Sequence, residues 1–187
     1  MNKYKFSFIL TLLFLFSTTL SAHGPSRQKV SEKIQINAES SKVWDIVKNF
    51  KDFKWNSEIT ECSASKNSVG SERVIEFSNG SKVKQKLEKL DENKMMIGWR
   101  IIETDNKMLP VNSYAAKVFV KNNDDDTSTI NYKAGFYRGF MGNDPPEELN
   151  DENSKKKVQE FIKKSLEGLK EIACLLYTSD AADDLLC

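Results

Sequence analysis

Histidine is nearly missing from this 187-residue chain, with His23 the only one. Several familiar chemistries fall with it. A zinc site built from clustered Cys and His side chains cannot be assembled. A Ser-His-acid set would need His23 itself to fold back. A copper-binding histidine brace could use the free amine and imidazole of His23 if processing followed Ala22, but it needs a second histidine. Cysteine is sparse as well: Cys62, Cys174 and Cys187. Cys174 opens the terminal run CLLYTSDAADDLLC, which does not continue the lysine-rich pattern before it and looks like a translated library adapter. Setting residues 174–187 aside as a non-native tail leaves Cys62 alone in a strand-like stretch. There it reads as a small buried hydrophobe before it reads as a reactive thiol. No GxGxxG or other phosphate-cradling loop occurs. Charge of one sign is absent too, with 28 Lys and Arg against 27 Asp and Glu. Acids interleave the basic stretches 82–89 and 155–164, so a nucleic-acid partner is not expected.

Only one long apolar run is present. Phe6 to Ala22 reads FSFILTLLFLFSTTLSA, follows Lys3 and Lys5, and ends in small residues. A basic start, a short apolar core near Ile9–Phe16 and small residues at a cut describe a secretory signal. The core is shorter than the roughly 20 residues a membrane span needs. Cleavage after Ser21 or Ala22 is therefore expected, giving an exported protein without stable membrane insertion. Residues 23–173 then suit one domain with a sizeable core.

Within that span the periodicities alternate between strand and helix. Val30–Asn37 alternates with Ile34 and Ile36 on one face, predicting a first strand. Ser40 and Ser41 can cap a helix in which Val43, Trp44, Val47 and Phe50 recur at helical spacing. The basic-aromatic piece Lys51–Trp55 suggests a second, brief helix. Strand patterns follow at 58–66, 72–77, 82–90, 95–103, 113–121 and 127–139, joined by hairpin-length turns, Asn79-Gly80 the clearest. The acidic run Asp124–Asp126 lacks the spaced oxygen ligands of a calcium loop and reads as a hairpin tip. About seven antiparallel strands result, with one face buried. Pro145 and Pro146 then introduce a helix from about Glu147 to Ala173, its stripe formed by Val158, Phe161, Ile162, Leu166, Leu169 and Ile172. That stripe must lie on the concave face of the sheet, and a sheet wrapped around a helix can enclose an apolar ligand. The fold class expected is α+β.

This order of elements resembles the START-like, helix-grip (SRPBCC) superfamily, which includes polyketide cyclases and lipid carriers. Five stretches are similar to one branch of it: HGPSRQKV at His23–Val30, the VWDIV…F…W run from Val43 to Trp55, LPVNSY at Leu109–Tyr114, GFYRG at Gly135–Gly139 and PPEELND at Pro145–Asp151. The branch is the MxaD family, periplasmic proteins associated with bacterial methanol oxidation. The resemblance implies a periplasmic, non-enzymatic accessory that assists electron transfer between methanol dehydrogenase and cytochrome c. It implies no cofactor and no catalytic site. Asn56-Ser57 departs from the pattern, since relatives more often carry a proline after the tryptophan.

A carrier for a small hydrophobic molecule is the alternative, and a cyclase- or hydrolase-type enzyme the third. Trp55, Trp99, Tyr114, Tyr132 and Phe136 are candidates to line a pocket, with core packing the competing role. Arg138 shares the parity of Tyr132, Ala134 and Phe136 and could orient a ligand carboxylate. It could equally pair with Glu147, Glu148 or another acid near the last helix. Arg100 and Glu103 are the remaining acid–base candidates. Lys48, Lys51 and Lys54 beside the first helix are candidate docking charges for a redox partner, and no metal site is expected.

Overall fold

The computed structural model describes residues 24–124 and 126–180. The expected signal segment, its cleavage point, His23 and residues 181–187 lie outside the described residues. Seven strands form one antiparallel sheet: β1 Gln28–Ile36, β2 Ile59–Ala64, β3 Glu72–Phe77, β4 Lys82–Asp91, β5 Met96–Glu103, β6 Val111–Asn122 and β7 Ser128–Arg138. Their spatial order is β1-β7-β6-β5-β4-β3-β2, so every neighbour but the β1–β7 pair is joined by a hairpin-type connection. Helix α1, Ser40–Val47, follows β1, and the long helix α2, Asp151–Asp180, closes the chain's described part.

Period-2 alternation makes one face of the sheet apolar. Val83 and Leu87 on β4, Ile97 and Trp99 on β5, Tyr114, Ala116, Val118 and Val120 on β6, and Ile130, Tyr132, Ala134 and Phe136 on β7 are all buried. Gly80 closes the β3–β4 hairpin with φ +81°, a conformation that glycine adopts without a Cβ penalty. Helix α2 lays Val158, Phe161, Ile162, Leu166 and Leu169 on that face. Gly168 permits the closest approach, because a Cβ there would lie 2.7 Å from the Trp55 carbonyl oxygen.

Three expectations need correction. Lys51–Trp55 forms turns, not a second short helix. At about 100° per residue, a helix would spread Phe50, Phe53 and Trp55 over roughly 200° of its circumference. The turned backbone instead buries all three rings. Asp52 Oδ1 accepts from Lys54 N at 3.0 Å and Asn67 Oδ1 from Phe50 N at 2.7 Å, which hold the turns. The last helix begins at Asp151, after a separate 3-10 turn at Glu147–Leu149. Asn150 is its cap, accepting from Asn153 N at 2.8 Å. Nor does helicity stop at Ala173: it runs to Asp180, and Cys174 extends the buried stripe. At α1 the capping position is Glu39, and no side chain caps the helix.

The Asn56 departure has a structural use. Its Nδ2 donates to Ser165 Oγ at 2.7 Å and to the Phe161 carbonyl at 3.4 Å, and its Oδ1 accepts from Glu58 N at 3.0 Å. Asn56 thus fastens the 49–58 loop to α2 and turns the chain into β2.

Candidate functional site

Aromatic rings fill the space between the sheet, the 49–58 loop and α2. Trp99 on β5 meets Tyr132 on β7 edge to face at 5.6 Å between centroids, and Trp55 from the loop reaches Tyr132 at 6.4 Å. Phe53 packs on Trp55 at 4.3 Å, Trp99 at 5.9 Å and Phe161 of α2 at 6.2 Å. Tyr114 stacks on Phe136 at 6.1 Å, and its hydroxyl lies 3.3 Å from that of Tyr132. Five of the six proposed pocket residues, Trp55, Trp99, Tyr114, Tyr132 and Phe136, therefore share one buried cluster.

The sixth, Arg138, is spent elsewhere. Its Nη1 pairs with Asp151 Oδ2 at 2.8 Å, Nε donates to the Phe140 carbonyl at 2.8 Å, and Nη2 donates to the Gly142 carbonyl at 2.6 Å. It ties the end of β7 to the start of α2. Pairing with an acid near the last helix was the competing role, and Asp151 is that acid.

The cation inside the cluster is Arg73, only 2% exposed. Its guanidinium carbon sits 4.2 Å from the Phe50 ring centroid, 4.4 Å from that of Phe53 and 5.0 Å from that of Trp99. Nε donates to Gln85 Oε1 at 2.8 Å and Nη1 to the Phe50 carbonyl at 3.2 Å. Burial pulls its pKa down to about 10, because desolvation disfavours the charged form. Burial likewise pushes the Tyr114 and Tyr132 hydroxyls above their ordinary range, and the half-buried Cys62 thiol upward. Arg73 Nη2, Trp55 Nε1 and Trp99 Nε1 are buried without a hydrogen-bond partner.

A groove of about 580 Å³, lined in part by Ile46, Asn49, Lys54, Ile172 and Leu176, reaches Trp55. Trp55 belongs to the interior cluster, so the groove and the buried rings meet at one side chain.

The sequence pattern of the polyketide cyclase/dehydrase and lipid transport family matches residues 27–173. This chain belongs to that family. No curated protein sequence matches this family member. Solved structures share its fold at low identity. The protein XoxI from Bacillus cereus superposes with a TM-score of 0.67 at 17% identity, covering 80% of this chain and 97% of that one. A protein from Nitrosospira multiformis gives 0.62 at 19%, covering 78% and 96%. Norcoclaurine synthase from Thalictrum flavum, a point mutant in complex with a transition state analogue, gives 0.60 at 12%, covering 82% and 98%. These likenesses establish the helix-grip fold.

As a polyketide cyclase/dehydrase family member, the chain places its other candidates on the outside. Arg100 is exposed and pairs with Glu88 at 3.4 Å, while Glu103 is exposed near Lys84. Lys48 pairs with Asp45 at 2.6 Å, and that hydrogen bond raises its pKa. Lys51 and Lys54 are exposed on the loop. Among the described residues no Asp, Glu or His is buried, and no three His, Cys, Asp or Glu side chains are grouped to hold a metal ion.

Arg73 and Gln85 are the interior residues that the sequence reading passed over. The signal was present. Arg73 shares parity with Ile75 and Phe77, and Gln85 with Val83 and Leu87; the two face each other across β3 and β4. A charged residue on the apolar parity of a strand was the clue.

Proposed function

We propose that this protein binds a small apolar molecule between the sheet and α2 and acts as its carrier. The observation that supports this most directly is the trio of buried donors, at Trp55, Trp99 and Arg73, that the protein leaves unanswered within an aromatic shell. Buried polar groups without partners are rare and costly, and a water, an ion or a ligand is what can answer them. Binding rather than turnover fits a cluster in which, among the described residues, the buried charge is a cation and no carboxylate or histidine is buried beside it to move a proton.

The test is uptake by the full chain. The neutral dye phenylnaphthylamine should brighten on titration, and native mass spectrometry should detect a co-purified small molecule. Trp55→Ala should weaken dye binding about tenfold by removing the ring at the end of the groove. No uptake and no co-purified molecule would sink the carrier reading.

A second reading comes from the MxaD-like stretches: an exported accessory in electron transfer between methanol dehydrogenase and cytochrome c. Lys51 and Lys54 favour it, since both are exposed and neither joins an ion pair among the described residues. Lys48, the third candidate docking charge, pairs with Asp45 at 2.6 Å on the same face. The double reversal Lys51→Glu with Lys54→Glu should slow electron transfer in a reconstituted assay, most strongly at low salt. An unchanged rate would remove this face. Export itself is tested by the N-terminal sequence of the protein recovered from cells, which should begin at Ala22 or His23.

A further inference from the structure

Around Arg73, what remains unsatisfied is all of one kind. Arginine has five N–H donors and no acceptor. Arg73 uses Nε–H on Gln85 and Nη1 on the Phe50 carbonyl, and Nη2 is left over. Trp55 Nε1 and Trp99 Nε1, donors only, are left over as well. The Tyr114 and Tyr132 hydroxyls bond to each other, which uses one of their two O–H groups and leaves the other free to donate. Arg73 feels both tyrosines, Cys62 and Asp52 electrostatically. Even so, no carboxylate pairs with it among the described residues.

A surplus made of donors with a net positive charge selects its complement. Water answers it only in part, because each water brings two donors along with its lone pairs. A group that only accepts, and is negative, answers both the hydrogen bonds and the charge. Phe50, Phe53 and Trp99 surround the guanidinium carbon with their ring centroids within 5.0 Å. The group still lacking a partner is Nη2, and an acceptor has to meet its N–H groups.

We propose that the interior takes a small aromatic carboxylic acid, its carboxylate held by Arg73 Nη2 and the spare tyrosine hydroxyl, its ring entering by parting the contacts that Phe53, Trp55, Trp99 and Tyr132 make with one another. This rests on the ligand-binding reading above and narrows it to a substrate class. A carboxylate supplies about four acceptor sites and no donor. The amide of the same shape brings two N–H groups into a site that already has donors to spare.

Calorimetric titration of the full chain with naphthoate and with naphthamide near neutral pH tests the assignment. The acid should bind at least about tenfold more tightly than the amide, and Arg73→Gln should abolish that preference. Side-chain nitrogen NMR of the unmutated protein gives a reading that does not depend on the variant folding: naphthoate should shift the Arg73 Nη signals, and naphthamide should leave them nearly in place. Equal affinity for the two probes, or unmoved Arg73 signals on saturation with naphthoate, would overturn the carboxylate assignment. If phenylnaphthylamine binds while naphthoate does not, the carrier reading stands and the acid is wrong. If none of the three binds, both fall together.

Discussion

Arg73 and Arg138 are both buried arginines, and their surroundings give them opposite roles. Arg138 has a carboxylate and two carbonyls for its three nitrogens. Its removal leaves those acceptors near the start of α2 without their donor. Arg138→Ala should cost about 2–3 kcal/mol in urea unfolding, because hydrogen bonds to a charged group are worth more than neutral ones. Ligand affinity in the folded fraction should be unchanged. Arg73 has rings and two acceptors but no anion, so its substitution should show in binding. Tyr114 and Tyr132 add a pH dependence. Their hydroxyls ionise later in the folded chain than in the unfolded one, whose tyrosines titrate near 10. Above that pH the folded state holds more protons, so stability falls as pH rises. Alkaline titration should show a tyrosinate step coinciding with unfolding; ionisation of every tyrosine before any loss of structure would contradict the burial. At this scale the sequence was legible where parity was followed. It placed Tyr132, Phe136 and Arg138 on the inner face. The same parity carried down β3 from Ile75 and Phe77 reaches Arg73, a position passed over because the alternation there was read only for its strand bounds.

Strands and hairpins depend on local patterns, and those survive translation into structure. The bounds of β3 follow directly from alternation and the Asn79-Gly80 turn. The 49–58 loop does not, because its backbone is shaped by where three rings and Asn56 must go. Nothing local states that Asn56 will bond Ser165 on a helix more than a hundred residues later. Helix α2 tests how closely these elements depend on one another. Phe161, 5% exposed, touches Phe53 and Phe77. Phe161→Ala should destabilise by about 3–5 kcal/mol. Gly168 gives a sharper test, since two effects oppose. Alanine raises helix propensity by about 1 kcal/mol over glycine. Here its Cβ would press on the Trp55 carbonyl at 2.7 Å, a backbone atom that cannot rotate away. Gly168→Ala should therefore lose about 1–3 kcal/mol on balance. A gain in melting temperature would mean that the loop does not rest on α2.

For the molecule as a whole, the sheet and α2 surround a cluster that is apolar in its packing and cationic at its centre. Holding Arg73 there costs folding free energy, since a buried charge without a counter-charge is desolvated and left uncompensated. The family's helix-grip fold accommodates that cost because the 49–58 loop and the sheet contribute Phe50, Phe53 and Trp99 around the guanidinium. A ligand that supplies the missing acceptor would bind the folded chain and not the unfolded one, and so must stabilise it. At a concentration one hundred times its dissociation constant it adds about 2.7 kcal/mol. For a domain of this size that corresponds to roughly 5–10 °C in melting temperature. Naphthoate should therefore raise the unfolding temperature in a concentration-dependent way, and the rise should vanish in Arg73→Gln. Purified methanol dehydrogenase, in contrast, should shift it only in proportion to a weak surface contact. The two proposed roles thus separate in one calorimetric experiment. A shift with the partner and none with any small molecule would move the accessory role to the front and leave the buried donors as the cost of a structural arginine.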